Sequence, residues 1–148
     1  MSLQFFAALL AIALGGAAIA VQAPINARLA SVIGEPVTAA AISFFVGFLA
    51  LAALTLVRGE IPSVQTVTTA PWWVWIGGFF GAFYVWAAVW SVGMLGVLTM
   101  VAALILGQLV AALALDATGA FGIPVREVSW TRIGAVAMVA GGLILSRL

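Results

Sequence analysis

Apolar runs long enough to cross a bilayer follow one another along this sequence, separated only by short polar connections. A lipid-embedded segment needs about 20 mostly apolar residues, because every backbone N–H and C=O must be paired within the segment where no water reaches. Five such segments nearly exhaust the 148 residues, of which 66% are hydrophobic and 6% charged. The expected fold is therefore an all-α integral membrane bundle of five transmembrane helices, a single membrane domain over residues 1–148 with no room for a soluble one.

The first helix is expected over residues 3–31. Leu3 to Val21, with small residues near Ala18 and Ala20, imitates a secretory signal. Such a signal wants a basic leading region and an apolar core of about 7–15 residues, so the segment is read as a retained membrane helix. Its C-terminal third carries Gln22, Pro24, Asn26 and Arg28. Pro24 has no amide hydrogen, which leaves the carbonyl of Ala20 without its helical partner and predicts a kink or tilt.

Gly34-Glu35-Pro36 forms a tight connection to a second helix over residues 36–57, closed by Arg58-Gly59-Glu60. Residues 61–71 read as a polar loop. The third helix, 72–92, opens on Trp72, Trp73 and Trp75, a residue type enriched at the headgroup level. Gly93 and Gly96 bracket a short turn, and the fourth helix, 97–115, carries Gln108 in its interior and ends at Asp116. After a second polar loop, 116–130, the fifth helix runs over 131–146, short for a span, with Arg147 able to snorkel outward.

There is no cysteine and no histidine, so disulfides, thiolate metal sites and the commonest general base are missing, and no metal or cofactor is expected. A net charge of +1 offers no basic field for nucleic acid. An intramembrane enzyme would need paired acids, a serine with a base, or a metal cluster within the spans. Ser43 and Ser91 have no evident base and are expected to bond the backbone of their own helices, so the chain is not read as an enzyme.

Gly15, Ile19, Gln22 and Asn26 fall on one face of the first helix, which places two amides one turn apart beside the proline-freed carbonyl. Polar residues inside spans face a bundle interior or a cavity, and these two serve either as interhelical hydrogen-bonding glue or as a substrate site. The same two readings hold for Gln108, beside Gly107; if the three amides converge, a hydrogen-bonding cavity follows. In the third helix Phe79, Phe83, Trp86 and Trp90 form an aromatic stripe, facing lipid or lining a pore, with Trp86 and Trp90 placed nearest a cavity. Gly77 and Gly81 on the opposite face are expected to pack against another helix, and the hydroxyl of Tyr84, off the stripe, needs a partner.

An odd helix count puts the termini on opposite sides of the membrane. Arg58, Arg126 and Arg132 then share one side, Arg28 and Arg147 the other, which leaves almost no orientation bias. Such a chain either is an ordinary protein with its N-terminus inside and short loops or, the favoured reading, inserts both ways and pairs as an antiparallel homodimer in the lipid bilayer, reproducing from one chain the inverted repeats that place transporter sites near the midplane. No carboxylate lies mid-span, since Glu35, Glu60, Asp116 and Glu127 all sit in or beside connections. Proton-coupled exporters usually need an intramembrane acid, so unless Glu35 or Asp116 dips inward, facilitated diffusion of a small-molecule substrate, or coupling by another route, is the expected mechanism.

The runs GAAIAVQAPINARL (residues 16–29), AISFFVG (41–47), GGFFGAFYV (77–85), GQL (107–109) and DATG (116–119) resemble the YdcZ-type inner-membrane exporters. These are bacterial multi-pass proteins of the drug/metabolite transporter superfamily, whose family carries a domain-of-unknown-function label. The resemblance covers essentially the whole chain and implies a five-helix unit equivalent to half of a ten-helix, inverted-repeat transporter, acting as a dimer or in a tandem fusion in the bacterial inner membrane. Gln22, Asn26, Tyr84 and Gln108 match family motif positions as a group. Ala117-Thr118 departs from the histidine and bulky residue expected after Asp116, which weakens a proton-handling role there. With Trp86 and Trp90 these four make up the expected substrate-binding set for a small organic solute. Two alternatives remain. A small-multidrug-resistance-type cation/proton antiporter would place a carboxylate mid-way along the first helix, where Ala13 to Ala20 has none. A non-transporting scaffold subunit of a membrane complex would use its polar patches up at protein contacts.

Overall fold

The computed structural model describes residues 3–148. Those residues form helices and no strand: α1 (Leu3–Ile33), α2 (Pro36–Arg58), α3 (Val64–Thr68), a 3-10 segment (Trp72–Ile76), α4 (Gly77–Leu95), α5 (Val97–Thr118), a 3-10 turn (Ala120–Gly122) and α6 (Trp130–Leu145). Helices α1, α2 and α5 and the continuous stretch Trp72–Leu95 are long and apolar enough to cross a membrane. Helix α6 is apolar but has only 16 residues. At 1.5 Å per residue it reaches about 24 Å against a hydrocarbon core of about 30 Å.

The side chains are distributed as a lipid solvent requires. The buried positions are mostly alanine, such as Ala23, Ala39, Ala40 and Ala88, and valine, with Met100 the largest apolar one, while Phe48, Phe79, Phe80 and Leu98 lie outside. Lipid tails are as apolar as leucine, so burial of large side chains does not drive these helices together; close approach over small residues does.

Local chemistry sets the turns. Gly34 (φ 88°) stops α1, its N–H bonded to Ala30 O at 2.7 Å, and Glu35 then caps α2 by accepting Val37 N at 3.0 Å, with Pro36 in the first turn. Helix α2 closes in a Schellman motif, in which Gly59 N donates to Leu56 O and Glu60 N to Thr55 O. The loop expected at 61–71 contains α3, capped by Ser63 Oγ on Thr66 N. The glycine bracket expected at 93 and 96 is corrected: α4 runs through Gly93 to Leu95, and only Gly96, at φ 76°, breaks the chain. Helix α5 likewise does not end at Asp116 but continues to Thr118, whose hydroxyl bonds back to Ala114 O at 2.9 Å.

The chain divides into two compact units, one up to Met94 and one from Leu95 to Leu148. In the first, α1 and α2 form an antiparallel hairpin, and Ala30, Ala39 and Ala40 pack with Val85 and Val89 of α4. Phe44 of α2 lies against Gly81, where an added Cβ would come within 3.3 Å of its ring, so Gly81 packs on another helix as expected. A Cβ at Gly77 meets nothing within 4 Å, so that half of the expected pair is not a close contact.

In the second unit α5 and α6 form a hairpin latched at both ends. Arg132 pairs with the Asp116 carboxylate and donates to Glu127 O at 3.2 Å, while Arg126 N donates to Asp116 O at 2.8 Å. About 25 Å away along α5, at 1.5 Å per residue, Thr99 Oγ1 donates to Ser146 O at 3.4 Å.

Gly119, at φ 64°, makes the turn after α5 possible, because a Cβ there would sit 2.6 Å from Val125 Cγ2 and 3.2 Å from Ile123 O. Gly119→Ala is expected to destabilise the chain by about 1–2 kcal/mol or more through left-handed strain and that clash. Gly134→Ala, in α6 with open space around it, is expected to be neutral or stabilising by up to about 1 kcal/mol. Thermal unfolding of both variants in detergent checks the contrast.

Candidate functional site

The face of α1 that carries Ile19, Gln22 and Asn26 meets α2 at Ser43, where two amides from successive turns converge on one hydroxyl. Asn26 Nδ2 donates to Ser43 Oγ at 3.0 Å and Gln22 Nε2 donates to the same oxygen at 3.3 Å. Asn26 is only 5% exposed, so its amide needs this partner, whereas Gln22 and Ser43 are half-buried. Small residues make the approach possible: Ala39, Ser43 and Gly47 recur every fourth residue along α2, and Ala23 and Ala30 are buried on α1.

The cluster borders a groove of about 470 Å³ formed by α1, α2 and α4. Ile19 and Gln22 line it from α1, Ser43, Phe44, Gly47, Phe48 and Leu51 from α2, and Tyr84 and Val85 from α4. This volume falls within the range of about 300–1,000 Å³ typical of small-molecule sites, and the lining is mostly apolar with a few convergent polar groups. The Tyr84 hydroxyl makes no hydrogen bond among the described residues, so the partner it needs is not supplied by the chain's described part.

The other expected residues lie elsewhere. Trp86 and Trp90 stack one helical turn apart, with ring centroids 6.1 Å apart and planes 10° from parallel. Trp86 borders a smaller groove of about 170 Å³ on the other side of Phe44, with Ala40 and Ala82, and Trp90 is exposed. Neither lines the larger groove. Gln108 sits in α5, in the second unit, and is exposed. Of the two acids nearest a span, Glu35 is taken up as the cap of α2 and Asp116 by Arg132. No group of three or more His, Cys, Asp or Glu side chains among the described residues could hold a metal ion.

Ser43 is the residue that sequence reasoning misplaced, since it was expected to bond its own helix. The available signal was the small-residue repeat around it, which marks the face of α2 that another helix approaches most closely.

The family model described as "Putative inner membrane exporter, YdcZ" matches residues 7–145 of this chain. The chain belongs to the YdcZ family. A relative, the inner membrane protein YdcZ of Escherichia coli (strain K12), is 31% identical over 83 residues, which is 56% of this chain and 56% of that protein. The match thus spans about half the length of this curated relative. No solved structure matches the chain. YdcZ membership and the run of apolar helices make the chain a multi-pass inner-membrane protein, and the family's description is that of an exporter rather than an enzyme.

Removing the shared acceptor tests how the cluster holds α1 to α2. A double-mutant cycle of Asn26→Ala and Ser43→Ala is expected to give a coupling of about 0.6–1.7 kcal/mol, from the average to the maximum found for interhelical hydrogen bonds in membranes. Unfolding in mixed detergent micelles measures it, and strictly additive losses would show that the bond contributes nothing.

Proposed function

We propose that this chain is the subunit of a transporter that moves a small organic solute across the inner membrane, with the groove at Ser43 as part of its solute path. The observation that carries the reading is the pairing of a polar cluster, Gln22, Asn26 and Ser43, with an open groove of small-molecule size inside apolar helices. Amides used only as packing glue need no adjoining groove. Membership of a family described as exporters supports the same reading, with export as the direction.

In this proposal α6 is the fifth span, and the chain is one membrane domain equivalent to half of a ten-helix drug/metabolite-type transporter. Two copies inserted in opposite orientations form an antiparallel homodimer, for which the near-balance of arginines between the two sides is the support. Gln22, Asn26 and Tyr84 act from the groove described above. Trp86, Trp90 and Gln108, exposed or half-buried in the single chain, complete the substrate-binding set in the dimer.

Two measurements check this. The chain has no cysteine, so Gly47→Cys places a single thiol on the groove. A membrane-impermeant methanethiosulfonate reagent should modify it, because a solute path opens to water; a cysteine that reacts only with permeant reagents would favour the scaffold reading. Ser31→Cys, near Arg28, and Val64→Cys, near Arg58, should both label from outside the cell in comparable fractions. Labelling of one position alone would replace the antiparallel dimer with a parallel one or with a separate partner.

A further inference from the structure

The groove between α1, α2 and α4 has a definite chemical character. None of the chain's nine charged residues lines it. In this unit Arg28 is exposed and bonded to Ser31, Glu35 caps α2, and Arg58 and Glu60 stand at the far end of α2. Its polar equipment is neutral throughout, made of one amide, one serine hydroxyl and one tyrosine hydroxyl.

An ion entering such a groove loses its hydration and meets no counter-charge. The ring faces of Phe44, Phe48 and Tyr84 attract a cation, but less strongly than stripping its water opposes it. Ser43 narrows the class further. A hydroxyl has two acceptor lone pairs and one proton, and the amides of Gln22 and Asn26 occupy both lone pairs. What remains for a ligand is the Ser43 proton, a donor, held in place by two bonds from α1.

We infer that the groove takes an uncharged, amphipathic solute with an apolar or aromatic body and a hydrogen-bond acceptor, such as an amide carbonyl, that the Ser43 hydroxyl meets. The inference rests on the transport reading above and gives its site a substrate class. Such a solute carries no charge across the membrane, so its movement does not respond to membrane potential. The mechanism then needs no intramembrane carboxylate.

The test uses three probes that share a phenyl body: N-acetylphenylalaninamide, which is neutral, N-acetylphenylalanine, an anion, and phenethyltrimethylammonium, a cation. Each is assayed for its ability to shield Ile19→Cys from N-ethylmaleimide in reconstituted full-length protein. Leu51→Cys, further along the groove, serves as the second reporter should the first variant not assemble. Thr68→Cys on α3, outside the groove, is the control. At about twice its Kd the neutral probe should slow labelling about threefold by mass action. At the same concentration the two ions leave labelling unchanged. Ser43→Ala should abolish the shielding, and Thr68→Cys should label at the same rate throughout. Equal or stronger shielding by either ion overturns the uncharged class while keeping the groove as a binding site. Shielding that survives Ser43→Ala overturns the role of its hydroxyl. If no probe shields either reporter, the groove is not a solute site, and the transport reading loses the observation that carries it.

Discussion

A peptide group in hydrocarbon has no water to bond, so every N–H and C=O along the apolar runs must find its partner along its own helix. That requirement makes the spans helical whatever their side chains prefer, and it pushes each exception to a helix end. Gly34, Gly59, Gly96 and Gly119 stand at those ends with positive φ, and the acids Glu35 and Asp116 serve as a cap and an ion pair beside them. Pro24 is the exception inside a span, where α1 continues past it from Leu3 to Ile33.

Once helices form, lipid supplies no hydrophobic force to press them together. The first unit answers with alanines at the α1–α2 contact, a phenylalanine laid on Gly81, and a serine that accepts two amides. The second unit answers with polar latches at the two ends of the α5–α6 hairpin. Both devices work by distance. Small side chains bring backbones close enough for short polar groups to meet, and the polar contact then fixes which faces meet.

The polar cluster and the groove are products of one arrangement. The small residues that admit Gln22 and Asn26 to Ser43 also leave unfilled volume next to them, lined by Gly47, Phe44 and Phe48. A hydroxyl held by two donors is oriented without any charge in the span. That avoids the desolvation cost that an intramembrane carboxylate carries, and it gives the groove a neutral character.

The sequence by itself determined that the chain is helical and embedded in lipid, where its turns fall to within a few residues, and that no carboxylate stands in the middle of a span. These follow from local rules, namely the bilayer's length, the conformational freedom of glycine and the missing amide hydrogen of proline. It also singled out the face of α1 with Gln22 and Asn26, because amides stand out among alanines. Only the tertiary structure decided what that face meets. The helices are apolar nearly all round, so no amphipathic stripe marks an inner side, and Ser43 looks like any small residue until α1 lies across it. The same holds for Tyr84, which shares the groove, and for Trp86 and Trp90, which do not: one residue of offset, about 100° of rotation on a helix, separates Val85 from Trp86, and two residues separate Tyr84 from it. Which side of α4 faces the groove depends on the packing of Val85 and Val89 on α1 and α2, a contact between residues distant in sequence.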